Sequence, residues 1–152
     1  MGMKKLGLCL VAALALAQGA MAAEGTWLTD LAKAQSQAKQ EKKLVLMDFT
    51  GSDWCPPCKA LHREILTSQE FVDYAKDNLV LVVVDFPNGK QLPADQKKAN
   101  DQLAKKYQIQ GFPTVIVLDG SGKQLDKEVG YNAGGITPKE YVAKLQKLKK
   151  TS

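Results

Sequence analysis

Two cysteines, Cys55 and Cys58, are separated by two residues, Pro56 and Pro57. A Cys-x-x-Cys pair can hold a metal ion, form a structural disulfide or exchange disulfides with other thiols. A structural disulfide between residues so close in sequence stabilises a fold only weakly, because the loop that it closes has little entropy to lose. Thiol–disulfide exchange is therefore the favoured chemistry, in which one thiolate attacks a disulfide and the second thiol resolves the mixed disulfide.

The pattern around the two cysteines places them at the start of a helix. Residues 44–49 form a short, nearly continuous apolar run, which is typical of a buried central strand. Residues 50–53 have the composition of a loop, and the two prolines between the cysteines fall in the first turn of a helix, where proline is tolerated. The free backbone N–H groups of a helix N-terminus favour a thiolate. We therefore predict Cys55 as the nucleophile and Cys58, one turn further along, as the resolving thiol.

The rest of the chain alternates helices and strands. Amphipathic spacing predicts a helix that opens at Thr26 or Asp30 and reaches about Gln40, with Trp27 on its apolar face. A second apolar run predicts another buried strand, parallel to the first. After the cysteines, the sequence predicts a helix through Leu66, a second helix over 68–76 and a strand over 79–86. It then predicts a helix over 94–107, a hairpin of strands 114–118 and 124–130, and a last helix from 137. The fold class is therefore α/β, with a central mixed sheet of about four strands flanked by helices and an N-terminal helix.

The first 22 residues have the pattern of a secretory signal peptide. Two lysines precede an apolar run over residues 6–17, and small residues lead to an expected cleavage point after Ala22. The apolar run is shorter than the ~20 residues that span a bilayer, so no permanent membrane anchor is expected. We therefore predict a signal peptide over 1–22, a single domain over 23–152, and a location in the periplasm or another extracytoplasmic space.

Removal of the predicted leader also determines which cysteines and charges the exported chain retains. The chain has 3 cysteines, but Cys9 lies in the predicted leader, so Cys55 and Cys58 are left in a compartment where disulfides persist. Loss of the leader removes two lysines and lowers the formal net charge from +5 to +3. This charge is too small to indicate a nucleic-acid partner.

Two separate motifs resemble those of the thioredoxin family. The segment Trp54–Lys59 (WCPPCK) is similar to the thioredoxin signature, and Gly111–Thr114 (GFPT) is similar to the loop that carries a cis-proline opposite the cysteines. The resemblance covers nearly all of the chain after the leader and implies the thioredoxin fold. It further implies that Pro113 is cis and that Phe112 offers its backbone to a bound substrate strand. Trp54 is either a core aromatic or, beside an active dithiol, a cover for the site; we predict the second, with Trp54, Phe112 and Pro113 as the substrate-binding residues.

Asp48 is the third point of resemblance. Thioredoxins carry a buried acid on this strand that helps to move the proton of the inner cysteine, and an unpaired buried carboxyl group has a raised pKa suited to that work. The link from Phe49 to Trp54 is one residue longer than the usual thioredoxin link, and Gly51 could absorb the extra residue as a bulge or a wider turn. The Asp48 carboxyl group therefore either helps to move the proton of the inner cysteine or points elsewhere.

The resemblance implies an exported thiol:disulfide oxidoreductase that needs no organic cofactor. Its implied partners are protein disulfide or dithiol substrates and a membrane-bound redox protein. A proline before the second cysteine resembles the dithiols of reducing family members, which favours a reductase. The alternatives are a metal carrier that uses Cys55, Cys58 and His62, or a thioredoxin-fold adaptor with an idle dithiol. A metal site is not favoured, because no fourth ligand is evident and His62 is expected on a helix surface.

Overall fold

The computed structural model describes residues 26–152, which form five β-strands and five α-helices. In chain order they are β1 (Trp27–Leu28), α1 (Leu31–Glu41), β2 (Leu44–Thr50), α2 (Pro56–Leu61), α3 (Gln69–Asn78), β3 (Leu79–Asp85), α4 (Ala94–Lys106), β4 (Thr114–Leu118), β5 (Gln124–Val129) and α5 (Pro138–Lys150). The predicted signal peptide, with Cys9, lies outside the described residues. Between residues 26 and 152, no helix combines the length and the hydrophobicity that crossing a membrane requires.

The strands form one mixed sheet in the order β1–β3–β2–β4–β5. β2 lies at its centre, parallel to β3 and antiparallel to β4, and every residue of β2 is buried. The apolar run that predicted a buried central strand is thus covered on both faces, and the predicted parallel pairing with the second apolar run is confirmed. β4 and β5 pair as the predicted hairpin.

The two faces of β2 contribute to two separate hydrophobic clusters. Successive side chains of a strand point to opposite faces. Leu44 and Leu46 therefore pack with α2, α3 and α5, while Val45, Met47 and Phe49 pack with α1 and α4. By the same alternation Asp48 lies on the face of Leu44 and Leu46. A carboxyl group therefore occupies a place in a row of leucines, on the face that α2 covers.

The sheet has five strands where the sequence predicted about four, because β1 has no recognisable pattern. Trp27 and Leu28 pair with the edge of β3, whereas helical spacing assigned Trp27 to the first helix. The carboxylate of Asp30 accepts a hydrogen bond from the backbone N–H of Lys33 at 3.1 Å and caps α1, so the helix begins at the next residue. A strand of two residues is too short to display an alternation of side chains.

The helix that follows the cysteines changes its form at His62. A π-helical turn, His62–Leu66, joins α2 to α3, and the backbone N–H of Thr67 donates to the carbonyl oxygen of His62 at 3.0 Å. α3 then begins after Ser68, which caps the helix because its hydroxyl accepts from the N–H of Phe71 at 3.3 Å. Single π turns are rare and occur frequently at functional sites.

β5 lies at one edge of the described sheet and carries charges on both faces. On one face, Lys144 of α5 pairs with Asp126 at 2.8 Å and also with Glu128. On the other face, the ammonium group of Lys127 donates to the carbonyl oxygens of the two residues that follow α4, each at 2.9 Å. The charged side chains of β5 therefore bind it to α5 and to the end of α4.

Candidate active site

Cys55 and Cys58 form a disulfide at the start of α2, with their Cα atoms 5.3 Å apart. Cys55 is the N-cap of the helix, and its Sγ accepts a hydrogen bond from the backbone N–H of Cys58 at 3.3 Å. The predicted position of the pair at a helix start is therefore confirmed. After reduction, this N–H group is placed to stabilise a thiolate on Cys55.

The loop before Cys55 is a tight turn built on Gly51. The backbone N–H groups of Trp54 and Cys55 donate to the carbonyl oxygen of Gly51 at 3.2 and 2.9 Å. The indole of Trp54 lies so close to Gly51 that a Cβ atom at that position would clash with the ring. Gly51, which the sequence marks as able to absorb the longer link, is thus required for the close approach of Trp54.

Two polar side chains of the same loop bind the end of β3 and the segment that follows it. Ser52 donates from its N–H and its hydroxyl to the carboxylate of Asp85, at 3.0 and 2.7 Å. The carboxylate of Asp53 accepts hydrogen bonds from the N–H groups of Asn88 and Gly89 at 3.0 and 2.6 Å. These two bonds lower the pKa of Asp53. Sequence patterns do not reveal these contacts, because the partners lie 33 to 36 residues apart.

Removing the Asp53 carboxylate will loosen the segment after β3. In Asp53→Ala the N–H groups of Asn88 and Gly89 lose their acceptor, and we expect their hydrogen exchange to become about tenfold faster. Hydrogen exchange read at these two amides by NMR measures the effect. Asp101→Ala removes an exposed carboxylate that pairs with Lys97, and this control should leave both rates unchanged. Unaltered exchange in Asp53→Ala would contradict this account of the loop.

The cis-proline loop lies against Trp54. The peptide bond between Phe112 and Pro113 is cis, as the resemblance implied. The rings of Phe112 and Trp54 meet edge to face with their centroids 5.8 Å apart, and Phe86 packs on Phe112 at 5.2 Å. Trp54 donates from Nε1 to the carbonyl oxygen of Phe86 at 2.7 Å and keeps 42% of its surface exposed. Trp54 and Phe112, two of the predicted substrate-binding residues, thus form one aromatic cluster with Phe86.

The loop after β5 is held to both the cis-proline and the π turn. The N–H of Gly130 donates to the carbonyl oxygen of Pro113 at 2.7 Å. The carboxylate of Glu64, on the π turn, accepts from the hydroxyl of Tyr131 at 2.9 Å and from the N–H of Gly134 at 3.1 Å. These contacts, with that of Tyr131 the strongest, lower the pKa of Glu64. No local sequence pattern distinguishes Glu64, because Tyr131 and Gly134 belong to a distant loop.

Asp48 is buried and lies on a cavity that also reaches Cys58. Its side chain is 5% exposed, and its Oδ1 has no hydrogen-bond partner among the described residues. Burial raises the pKa of Asp48 to about 7, and the negative charge of Asp85 adds to the rise. The cavity that Asp48 and Cys58 both line measures about 310 Å³. An acid with such a pKa can accept and release a proton at neutral pH.

His62 lies at the start of the π turn, exposed as predicted, and lines the same cavity. Within residues 26–152, no group of three or more His, Cys, Asp or Glu side chains is arranged to hold a metal ion. This part of the chain therefore contains no ligand cluster of the kind that a metal carrier using Cys55, Cys58 and His62 requires.

Residues 31–149 match the family described as the thioredoxin-like domain. The chain belongs to the thioredoxin-like family. The predicted fold is confirmed by this match and by a solved structure of a DsbH oxidoreductase. That structure matches the chain with a TM-score of 0.76 at 32% identity, covering 98% of this chain and 96% of the DsbH chain.

Two curated relatives of this thioredoxin-like chain come from Chlamydia pneumoniae. The protein named disulfide bond reductase DsbH is 39% identical over 104 residues, which cover 68% of this chain and 62% of the relative. The thioredoxin-related protein DsbJ is 27% identical over 114 residues, which cover 71% of this chain and 33% of the relative. The chain thus spans less than two thirds of the length of either protein.

Proposed function

We propose that the chain is an exported thiol:disulfide oxidoreductase that reduces protein disulfides through Cys55 and Cys58. One observation carries the proposal: the inner cysteine of a bonded pair at a helix start shares its cavity with the buried, unpartnered carboxyl group of Asp48. Similarity to a protein named disulfide bond reductase supports the direction of exchange. The sulfur pair carries both electrons, so the reaction needs no organic cofactor.

The proposed cycle begins with the reduced chain. The Cys55 thiolate attacks one sulfur of the target disulfide, that S–S bond breaks, and one target sulfur leaves as a thiolate. Cys58 then gives its proton to Asp48, and the Cys58 thiolate attacks Sγ of Cys55. The mixed disulfide breaks, the Cys55–Cys58 disulfide forms, and the second target sulfur leaves as a thiolate. The target gains two electrons and the dithiol loses them.

Trp54, Phe112 and Pro113 are the residues that receive the substrate in this proposal. Trp54 keeps a large exposed surface directly before the nucleophile, and Phe112 lies against its ring. An extended peptide can therefore contact both rings and the cis-proline loop while its disulfide meets Cys55. Contacts of this kind hold the two sulfurs in line for attack, which is the contribution of positioning to the rate.

The proposed place of action is the periplasm or another extracytoplasmic space, reached through a leader over 1–22 that leaves a domain over 23–152. Each turnover converts the dithiol to a disulfide in a compartment that favours disulfides. A continuing reductase therefore requires a supply of electrons. A membrane-bound redox protein is the class of donor that can deliver them from the cytoplasm.

Measuring the reduction potential of the Cys55–Cys58 pair in the exported chain tests this function. We expect a value near the ~−270 mV of thioredoxin, together with turnover of a protein disulfide when a dithiol reductant is supplied. A potential near ~−120 mV would contradict the direction of exchange and indicate a disulfide donor. A pair that does not cycle between its oxidised and reduced forms would contradict the redox function and leave an idle adaptor.

A further inference from the structure

The cavity beside the redox pair includes a side chain that the proposed cycle does not use. Trp27 and Val83 give the cavity an apolar wall. The ionisable residues that line it are Asp48, Cys58, Lys59 and His62. Asp48 is a buried acid, whereas His62 is exposed to solvent.

The proposed cycle leaves a proton on Asp48 that must return to water. Every residue of β2 is buried, so Asp48 has no direct path along its own strand. The other ionisable groups that act on it from packed elements are Asp85 on β3 and Tyr141 on α5. The carboxylate of Asp85 is already bound by Ser52 and Lys90. Burial raises the pKa of the Tyr141 hydroxyl well above its usual value, so this group does not exchange protons at neutral pH.

Lys59 lines the cavity but is unsuited to proton exchange. Its ammonium group donates to the carbonyl oxygen of Asp53 at 2.9 Å, which directs the charge toward the loop before Cys55. Histidine is the residue type whose charge commonly changes between pH 5 and 8.

The backbone fixes His62 one helical turn after the inner cysteine. Its N–H donates to the carbonyl oxygen of Cys58, and its own carbonyl oxygen accepts from the N–H and the hydroxyl of Thr67, each at 3.0 Å. The π turn that begins here therefore anchors His62 at both of its backbone groups. The side chain lines the cavity that Asp48 also lines, and His62 is exposed, so it has access to both that cavity and bulk water.

We propose that His62 is the proton-exchange group of the redox site and carries protons between Asp48 and water across the cavity. The inference rests on the proposed thiol–disulfide function. In the reducing direction, the His62 imidazole takes the proton of Asp48 and releases it to water, so that the ionised Asp48 can accept the proton of Cys58. In the oxidising direction each transfer is reversed. No electrons move in these steps, and His62 acts through Asp48 without touching the sulfur atoms.

A single-turnover experiment tests the proposal. The reduced chain is mixed with a protein disulfide in weak buffer at several pH values between 6 and 8, with and without added imidazole. We expect His62→Gln to slow formation of the Cys55–Cys58 disulfide by about tenfold, less than the ~10²–10⁴ of direct general acid–base catalysis. Free imidazole should restore the rate in His62→Gln and in His62→Ala, and should not change the rate of the wild-type chain.

Arg63→Gln is the matched control, because Arg63 is the exposed next residue on the π turn and pairs with Glu64. It should keep the wild-type rate and pH profile. A His62→Gln rate equal to that of the wild-type chain would overturn the proposal. A slow variant that imidazole does not restore would also overturn it, because such a loss is structural. A wild-type chain that does not exchange disulfides would overturn the proposed function itself, and this inference with it.

Discussion

Cys58→Ser will accumulate mixed disulfides with its substrates, whereas Cys55→Ser will form none. Cys55 lies at the N-cap beside Trp54, and its Sγ has a backbone N–H donor, so it can still attack when Cys58 is absent. Without Cys58, no thiol remains to break the mixed bond. Both variants should lose turnover by about 10³-fold or more, because the two cysteines act together and neither completes the exchange alone.

Non-reducing electrophoresis and mass spectrometry of each variant, after incubation with a protein disulfide, measure this difference. The double variant Cys55→Ser with Cys58→Ser is the matched control for adducts that arise through other groups. Adducts on Cys55→Ser in place of Cys58→Ser would reverse the two roles. Wild-type turnover in both single variants would contradict a redox site.

Ionisation of Asp48 will make the oxidised chain less stable as the pH rises. The pKa of this carboxyl group is about 7 in the folded chain and 3.8 in the reference state that stands for the unfolded chain. Below both values the group is protonated in either state and its full contribution to stability is present. Between them only the unfolded state ionises, so the free energy of unfolding falls, by about 4 kcal/mol once the pH exceeds 7.

Urea unfolding at a series of pH values between 4 and 9 measures this loss. Asp48→Asn cannot ionise, so we expect it to match the wild-type chain near pH 4 and to exceed its stability by most of that difference above pH 7. Asp77→Asn removes an exposed acid on α3 and should retain the wild-type pH dependence. An Asp48→Asn variant that still loses stability between pH 4 and 7 would show that other groups cause the fall.

The elements that the sequence predicts well are those whose patterns are long. The strands β2 and β3 have seven residues each and consist mostly of continuous apolar runs, from which their burial on both faces follows. β1 has two residues, so it shows no period and became visible only through its pairing with β3. The π turn leaves no trace in composition, because it is a change in hydrogen bonding and not in the apolar spacing.

In the site, too, the sequence predicts the features that depend on local contacts and misses those that depend on distant ones. The place of the cysteines at a helix start follows from adjacent residues, and the cis form of Pro113 followed from the family resemblance and not from spacing. Asp85 was predicted only as the penultimate residue of a strand, since its bond to Ser52 joins residues that are far apart along the chain. The roles of Asp48, Trp54 and Phe112 remain predictions, as does the signal peptide over 1–22.

The charges of β5 bear on how the chain behaves at high concentration. A strand at the edge of a sheet presents free backbone groups to any second strand, and copies of one protein can polymerise through such edges. On β5 a second copy would place Asp126 and Glu128 against charged side chains of its own and disturb their pairing with Lys144. The edge is therefore protected from self-association, while the exposed apolar surface of Trp54 lies beside Cys55, where we propose that protein substrates bind.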